Sequence, residues 1–192
     1  MPKAARAKLL VYVRLLDKWN QTYNLTAVRD PEQMVTRHVL DSLAVTPHVR
    51  GPRVLDVGCG PGLPGIPLAI ACPQWSFTLL DANGKMTRFA TQAVAELGLK
   101  NAEVLQIRVE NYHPEPKFDT LVSRAFANIT DMLENTRHCC ASTGRILAMK
   151  GLHPRSELAA VPADYTSEVI TLAVPGLAAE RHLAILTPQT AT

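Results

Sequence analysis

The sequence has no apolar run that approaches the roughly 20 residues needed to span a bilayer. Charged side chains recur through residues 1–30, so the apolar core of a signal peptide is missing too. We therefore expect a cytoplasmic protein with no membrane partner. Repeats, long linkers and low-complexity tracts are also absent, and 47% hydrophobic with 19% charged residues is typical of a globular chain. The length predicts a single domain, 1–192.

Cysteine is scarce, and aromatic residues make up only 5% of the chain. The four cysteines, Cys59, Cys72, Cys139 and Cys140, have no metal-ligand spacing, so we predict no metal site. In a reducing compartment we expect free thiols, with Cys139 and Cys140 as small buried residues.

The net charge of +3 is small, but its distribution is uneven. Residues 1–50 carry eight Lys and Arg against four Asp and Glu, whereas residues 151–192 carry two against four. A basic front segment is typical of a protein with a polyanionic partner. A solvated helix face explains the same charges equally well, so charge alone leaves both interpretations open.

Two helices are predicted in the front segment. Apolar side chains recur at helical spacing in residues 3–19, which predicts an amphipathic helix whose apolar stripe carries Leu9, Tyr12, Val13, Leu16 and Trp19. A second helix carries three start signals. Asp30 can serve as the N-cap, Pro31 suits the first helical position, and Gln33 completes a capping-box pattern. We expect this helix to reach Leu43, with a bend on the way.

After residue 50, short β-branched runs alternate with helical stretches, which predicts βαβ units and a parallel sheet. The predicted strands are 53–57, 76–81, 103–107, 119–123, 145–150, 167–174 and 182–187, and the predicted helices lie near 65–72, 85–97 and 128–140. The last two strands are joined by a short Pro-Gly loop without a helix, so we expect them to pair antiparallel. The predicted fold is α/β, a mostly parallel seven-stranded sheet with an antiparallel C-terminal strand. That is the Rossmann-like class I methyltransferase type, with helical residues 1–50 packed on a core of 51–192.

A glycine-rich loop, within RVLDVGCGPGLPG at 53–65, follows the first predicted strand. Glycines there allow positive φ and a close approach of a ligand to the backbone. Two cofactor fingerprints overlap in this loop. The dinucleotide form G-x-G-x-x-G is satisfied by Gly60, Gly62 and Gly65. The form D-x-G-x-G-x-G, typical of S-adenosylmethionine sites, is satisfied by Asp56, Gly58, Gly60 and Gly62.

The two cofactors make different demands on the loop. A dinucleotide needs backbone N–H groups around its pyrophosphate, and Pro61 and Pro64 each remove one there. S-adenosylmethionine has no phosphate and needs an acid for its ribose hydroxyls, which Asp81 at the end of the second strand can supply. The loop therefore favours S-adenosylmethionine over a nicotinamide cofactor.

Seven strings spread over nearly the whole chain resemble one family, the small-subunit ribosomal RNA methyltransferase G family, also called glucose-inhibited division protein B. They are LDKWNQTYNLTAVRDP (16–31), RHVLDSL (37–43), DVGCGPGLPGIPLA (56–69), LLDANGK (79–85), SRAFA (123–127), MKG (149–151) and ERHL (180–183). The first string carries the most weight, because generic S-adenosylmethionine sites lack it.

The resemblance implies an activity, a cofactor and a partner. It implies transfer of a methyl group from S-adenosylmethionine to N7 of a guanine in the 530 loop of 16S ribosomal RNA, at position 527. The partner is then 16S ribosomal RNA or the small ribosomal subunit, and we expect the protein to be a monomer. Other S-adenosylmethionine-dependent RNA methyltransferases, a nicotinamide-dependent oxidoreductase and a non-enzymatic RNA-binding protein remain the alternatives.

The resemblance also implies roles for residues that follow the carboxyl ends of the predicted strands, where ligands of such folds bind. Gly58 and Leu63 surround the cofactor, together with the fingerprint residues Asp56, Gly60 and Gly62. Asp81 binds the ribose, and Val109 and Glu110 border the adenine. Arg124 lies near the amino-acid end of the cofactor or near the substrate.

Guanine N7 carries an exposed lone pair and no proton, so its methylation needs alignment and a suitable field but no general base. Consistently, the place after the fourth strand where amino-group methylases carry Asn/Asp-Pro-Pro-aromatic holds Ser123-Arg124-Ala125-Phe126. Carbon-5 methylation needs a cysteine that follows a proline, whereas Cys72 precedes Pro73. Both rival chemistries are therefore disfavoured.

The candidate RNA contacts are the side chains of Arg124, Phe126, Lys150, Arg181 and Arg37. Arg124 is the candidate for positioning guanine, because arginine commonly reads its edge. Phe126 can stack on a flipped base. Structural alternatives stay open at this point, since Arg124 can instead pair with Glu110 or Asp81, and Phe126 can belong to the core.

Four residues of the front motif, Asn24, Arg37, His38 and Asp41, either touch RNA or hold the front helices on the core. The sequence departs from the family at Cys59, where relatives often carry Thr or Ser, and at Met86, where a second basic residue is common. The chain also begins close to its first helix, which we expect to reduce RNA contacts.

Overall fold

A computed structural model describes residues 1–126 and 128–189. The strands are β1 Arg53–Val57, β2 Ser76–Asp81, β3 Ala102–Gln106, β4 Phe118–Ser123, β5 Cys140–Lys150, β6 Tyr165–Thr171 and β7 His182–Pro188. They form one seven-stranded sheet in the order β3-β2-β1-β4-β5-β7-β6. Neighbours from β3 to β5 are parallel, whereas β7 is antiparallel to both β5 and β6. The predicted fold is confirmed.

The helices are α1 Lys3–Tyr23, α2 in three consecutive segments (Pro31–Met34, Val35–Leu40 and Asp41–Leu43), α3 Gly65–Ala71, α4 Gly84–Glu96, α5 Ile129–Thr136 and α6 Arg155–Leu158. Short 3-10 turns lie at Thr46–His48, Val109–Asn111 and Arg137–Cys139. Among the described residues, no helix combines the length and the apolar character that crossing a membrane requires.

The middle segment of α2, Val35–Leu40, is π-helical, so the helix is irregular in the stretch where a bend was predicted. As expected, the Asp30 carboxylate caps the helix, accepting a hydrogen bond from the Glu32 N–H at 3.0 Å. Pro31 occupies the first turn, where its missing N–H costs nothing. At the end of this segment the His38 carbonyl accepts hydrogen bonds from the Asp41 N–H and from the Ser42 hydroxyl, the latter at 2.5 Å.

Two boundaries differ from the prediction. The helix expected over 128–140 ends at Thr136, and β5 begins at Cys140, five residues before the predicted start. The sheet overrides the helical pattern because Cys140 pairs with Phe118 at the start of β4. The strand expected over 167–174 ends at Thr171, so the loop before β7 is longer than predicted.

The core lies on both faces of the sheet, because successive strand residues alternate between them. On one face Val54 of β1 joins α1, α2, α3 and α4 in a cluster that includes Tyr12, Ile66 and Phe89. On the other face Leu55 packs with α5 and the start of β4. All four cysteines are buried and free, as expected for small thiols.

Candidate functional site

The order in which strands are added to the sheet reverses between β1 and β4. β2 and β3 lie on one side of β1, whereas β4 and β5 lie on its other side. Ligands of open α/β sheets bind at the carboxyl ends of the strands where this reversal occurs. The glycine loop lies there. Gly58 and Gly62 both have positive φ (68° and 92°), which L side chains rarely adopt. A Cβ on Gly58 would also lie 2.6 Å from the Ala125 Cβ, so the loop and the segment after β4 approach each other closely.

Asp56 lies beneath this loop, at the end of β1, and is fully buried. Its Oδ2 accepts a hydrogen bond from the Gly65 N–H at 2.7 Å, which ties the carboxylate to the start of α3. Burial raises the pKa of Asp56 to about 7, although the Gly65 N–H opposes the shift. The fingerprint aspartate thus supports the loop from the interior, and Gly62 and Leu63 are buried with it.

Asp81 ends β2 and is only half-buried. Its two carboxylate oxygens accept hydrogen bonds from the backbone N–H groups of Gly60 and Asn83, each at 2.8 Å. These bonds hold the carboxylate in one orientation, and each oxygen has a second lone pair for a ligand hydroxyl. Asn83 in turn caps α4 by accepting from the Lys85 N–H at 3.0 Å.

The loop is also held from above by α1. The Tyr12 hydroxyl donates a hydrogen bond to the Pro61 carbonyl at 2.8 Å, and its side chain is fully buried. Burial raises the pKa of the Tyr12 phenol well above its usual range, so it stays a neutral donor. Sequence analysis placed Tyr12 on the apolar stripe and missed this role. The signal was a buried hydroxyl on that stripe, since such groups need a partner.

Two cavities open at this edge. The β3-side cavity, about 280 Å³, lies against the ends of β1, β2, β3 and β4. It is lined by Val57, Gly58, Leu80, Asp81, Ala82, Ile107, Arg108, Val109, Glu110, Ala125 and Phe126. Its apolar side chains and the Asp81 carboxylate fit an adenosine, whose flat base is apolar on its faces and whose ribose offers hydroxyl donors. Arg108 and Glu110 add two charged groups to the same lining.

The second cavity, about 360 Å³, is called here the arginine cavity. It is lined by Val28, Arg37, His38, Asp41, Arg124, Met149, Lys150, Gly151 and Arg181. Its walls come from the front segment, from the ends of β4 and β5 and from the residue before β7. Arg124 lines this cavity while Ala125 and Phe126 line the other, so the two cavities meet at the end of β4.

Arg124 makes an ion pair that sequence analysis did not anticipate. The expected structural partners were Glu110 and Asp81, but Arg124 Nη1 lies 3.4 Å from Asp41 Oδ2. That alternative named other partners, because α2 brings a carboxylate of the front motif to the end of β4 and the local sequence carries no sign of this contact. Arg181 Nε donates to the other oxygen of Asp41 at 3.0 Å.

His38 lines the arginine cavity as a neutral group. Its Nε2 lies 2.8 Å from the Thr26 hydroxyl and its Nδ1 lies 3.1 Å from the Arg37 carbonyl, so both ring nitrogens are engaged. Burial, followed by the nearby charge of Arg124, lowers the pKa of His38 to about 4. These two contacts hold His38 within the front motif, which is one of the two roles that the sequence left open for it.

Lys150 ends β5 and points its ammonium into a set of acceptors. Its Nζ lies 2.8 Å from Glu157 Oε2 and donates to the Phe126 carbonyl at 3.2 Å. The same Glu157 oxygen accepts from the Ile129 N–H at the start of α5, at 2.8 Å. Lys150 therefore ties β5 to the segment after β4, and its charge is largely balanced by Glu157.

The structure divides the candidate residues into three groups. Gly58, Asp81, Val109, Glu110 and Phe126 line the β3-side cavity, whereas Arg37, Arg124, Lys150 and Arg181 line the arginine cavity. Asp56, Gly60, Gly62 and Leu63 line neither and shape the loop between α1 and the sheet. Phe126, expected beside RNA, thus lines the β3-side cavity and not the arginine cavity.

Comparison with known proteins points to one family. The family model described as rRNA small subunit methyltransferase G matches residues 5–184. The chain is similar to "Ribosomal RNA small subunit methyltransferase G" of Yersinia pseudotuberculosis, with 55% identity over 188 residues, 97% of this chain and 91% of that protein.

Solved structures share the fold at low identity. A methyltransferase from Geobacter sulfurreducens superposes with a TM-score of 0.65 at 17% identity, over 92% of this chain and 90% of that one. Coclaurine N-methyltransferase bound to N-methylheliamine and SAH superposes with a TM-score of 0.59 at 14% identity, over 77% and 53%. These likenesses show the class I methyltransferase fold. The family match decides between the two overlapping glycine fingerprints, in favour of S-adenosylmethionine.

Proposed function

We propose that this chain, which belongs to the rRNA small subunit methyltransferase G family, methylates N7 of a guanine in the 530 loop of 16S ribosomal RNA. Two adjacent cavities at the end of β4 carry the proposal. One has apolar walls and a carboxylate, as a methyl-donor nucleoside requires. The other has arginines, as an RNA substrate requires.

The β3-side cavity is assigned to S-adenosylmethionine, which supplies an electrophilic sulfonium methyl group when bound. The Asp81 carboxylate is placed to receive the ribose hydroxyls, and Val109 with Glu110 borders the adenine. Gly58, where a side chain would collide with Ala125, lets the glycine loop approach the segment after β4 at this cavity. Tyr12 and Asp56 hold the glycine loop from its two sides.

The arginine cavity is assigned to the guanine and its flanking phosphates. Arg124 lines the arginine cavity, and the next residue, Ala125, lines the β3-side cavity. The Arg124 guanidinium can donate to guanine O6 or to a phosphate. Such donors hold the base so that its N7 lone pair faces the cofactor side, which is the alignment that this reaction needs. His38 has both ring nitrogens in hydrogen bonds, and attack by N7 requires no base from it.

We further propose that the protein acts on the small ribosomal subunit as a cytoplasmic monomer, with residues 1–192 as one domain. The front segment supports a single unit, because α1 reaches the glycine loop and α2 reaches the end of β4. A 30S particle supplies the polyanionic surface that the basic front segment suits.

The test uses labelled S-adenosylmethionine and 30S subunits from cells that lack this modification. We expect label in 16S ribosomal RNA and strand cleavage at one guanine of the 530 loop after N7-specific chemical treatment. Large ribosomal subunits serve as the control. Label on the large subunit, or label at a position that resists N7-specific cleavage, contradicts the proposal.

A further inference from the structure

Asp41 is the feature from which we draw a further inference. Its side chain is only 5% exposed, yet it faces the arginine cavity from α2. A buried carboxylate is costly unless it is paired and hydrogen-bonded. Asp41 meets this need with two guanidinium groups rather than one. Those groups come from positions 83 and 140 residues further along the chain.

The two arginines are not buried with it. The side chains of Arg124 and Arg181 are each 24% exposed, so part of each guanidinium faces the cavity. Each guanidinium carries five N–H donors in a rigid fork. Arg181 donates one hydrogen bond from Nε to Asp41 and another from Nη1 to the Glu180 carbonyl, the latter at 2.8 Å. These two bonds fix the plane of its guanidinium group.

Asp41 also differs from the other charged groups of the cavity. Lys150 is balanced by Glu157, and Arg37 is exposed on the outer face of α2. His38 is neutral and bonded to Thr26. The shared carboxylate is therefore what sets the relative orientation of the two guanidinium groups.

We propose that Asp41 is a positioning residue for methyl transfer, which orients Arg124 and Arg181 together toward the RNA. The inference rests on the proposed function, and it assigns to the front segment a direct part in substrate alignment. One carboxylate holds both guanidinium planes, so donors from β4 and from the start of β7 meet the nucleotide in a defined geometry. Preorganised donors of this kind accelerate a reaction without reorienting when the substrate arrives.

The test is the variant Asp41→Asn, which keeps the shape of the side chain and removes its charge. With 30S subunits and saturating S-adenosylmethionine, we expect kcat to fall about 10-fold, as misplacement of aligning groups predicts. The Kd for S-adenosylhomocysteine, measured by calorimetry, is expected to stay within about 2-fold, because Asp41 does not line the β3-side cavity.

A double-mutant cycle separates positioning from a merely structural role. If Asp41 acts through Arg124, Arg124→Ala should cost much less in kcat in the Asp41→Asn background than in the wild type. The matched control is Asp119→Asn. The Asp119 carboxylate also accepts a hydrogen bond from an arginine residue, in this case from the backbone N–H of Arg53 at 2.9 Å. Asp119 lies near the start of β4, at the opposite end of the strand from the two cavities. The kcat of the Asp119→Asn variant should be unchanged.

Three results would overturn the inference while wild-type activity stands. The first is an Asp41→Asn variant that loses thermal stability but keeps the wild-type kcat. The second is additive effects in the cycle. The third is a rise in kcat, which would mean that Asp41 competes with RNA for the arginines.

Should Asp41→Asn fail to bind S-adenosylhomocysteine, Arg181→Lys decides instead. This variant keeps the charge and removes the Nε–H that reaches Asp41. A lower kcat with unchanged cofactor affinity supports the inference, and an unchanged kcat overturns it. Failure of the proposed function is distinct, because the wild type itself would then leave 16S ribosomal RNA unmodified.

Discussion

The two cavities at the end of β4 are built in different ways. The β3-side cavity is lined by residues next to strand ends, and its key carboxylate is held by backbone N–H groups of neighbouring loops. The arginine cavity is assembled from distant parts of the chain around one buried side chain, Asp41. The β3-side cavity lies at the strand ends, where ligands of this kind of fold bind. The arginine cavity depends in addition on residues of the front segment. If the two cavities have the proposed roles, we expect that cofactor binding and substrate alignment can be disturbed separately.

The largest expected effect is on the cofactor side. Asp81→Ala removes the carboxylate proposed to take two ribose hydroxyls, and two charge-assisted hydrogen bonds at about 1.5 kcal/mol each correspond to a roughly 100-fold weaker Kd. Calorimetry with S-adenosylhomocysteine measures this, and circular dichroism checks the fold. Wild-type affinity in the variant would remove Asp81 from the ribose site.

The next effect belongs to the arginine cavity. Arg124→Ala should lower kcat on 30S subunits by about 10- to 50-fold, because a donor that aligns the guanine is lost. The Kd for S-adenosylhomocysteine should change little, since Arg124 does not line the β3-side cavity. Unchanged turnover would exclude Arg124 from the site, and a large loss of cofactor affinity would show that the two cavities are not separable.

A smaller effect is expected from the contact between α1 and the glycine loop. Tyr12→Phe leaves the Pro61 carbonyl without its donor in the interior, which should cost about 1–2 kcal/mol of folding free energy. We expect a Kd for S-adenosylhomocysteine that is weaker by a few-fold, about 2 to 5, because the loop is held less firmly. Tyr23→Phe on the exposed end of the same helix is the control, and equal effects in both variants would contradict a role in the loop.

The smallest effect concerns pH. Asp56 has a folded-state pKa of about 7, raised by burial above its ordinary value of 3.8. Protons then bind more tightly to the folded chain, so Asp56 contributes stability at low pH that is lost as pH rises toward 7. Asp56→Asn keeps an acceptor for the Gly65 N–H but cannot titrate. The Tm of the wild type relative to that of the variant should therefore fall as pH increases from 4 to about 8. A gap that is constant with pH would show that Asp56 does not titrate in this way.

The fold and the cofactor side could be predicted from sequence because their signals are local. β1 and β2 were predicted to the residue, since each is a short apolar run, with the glycine loop directly after β1 and Asp81 at the end of β2. The early start of β5 at Cys140 was missed, because the stretch before it continues a helical pattern and only pairing with Phe118 makes it a strand.

The arginine cavity could not be assembled in this way. The residues Arg37, Arg124, Lys150 and Arg181 were identified through the family resemblance, and their proximity depends on contacts between residues up to 140 positions apart. Asp41 was named as a member of the front motif, but nothing in its neighbourhood indicates that it joins two arginines. Tyr12 was likewise assigned to the apolar stripe of α1, where its hydroxyl has no local partner. Long-range polar contacts of this kind leave no periodic signal in the sequence.

A crystal structure of the protein with S-adenosylhomocysteine tests the central claim most directly. The account predicts the adenine beside Val109 and Glu110, the ribose hydroxyls within hydrogen-bond distance of Asp81, and the sulfur at the border with the arginine cavity, next to Arg124. Adenosine bound in the arginine cavity, or a ribose that does not touch Asp81, would contradict the division of the site into a cofactor side and an RNA side.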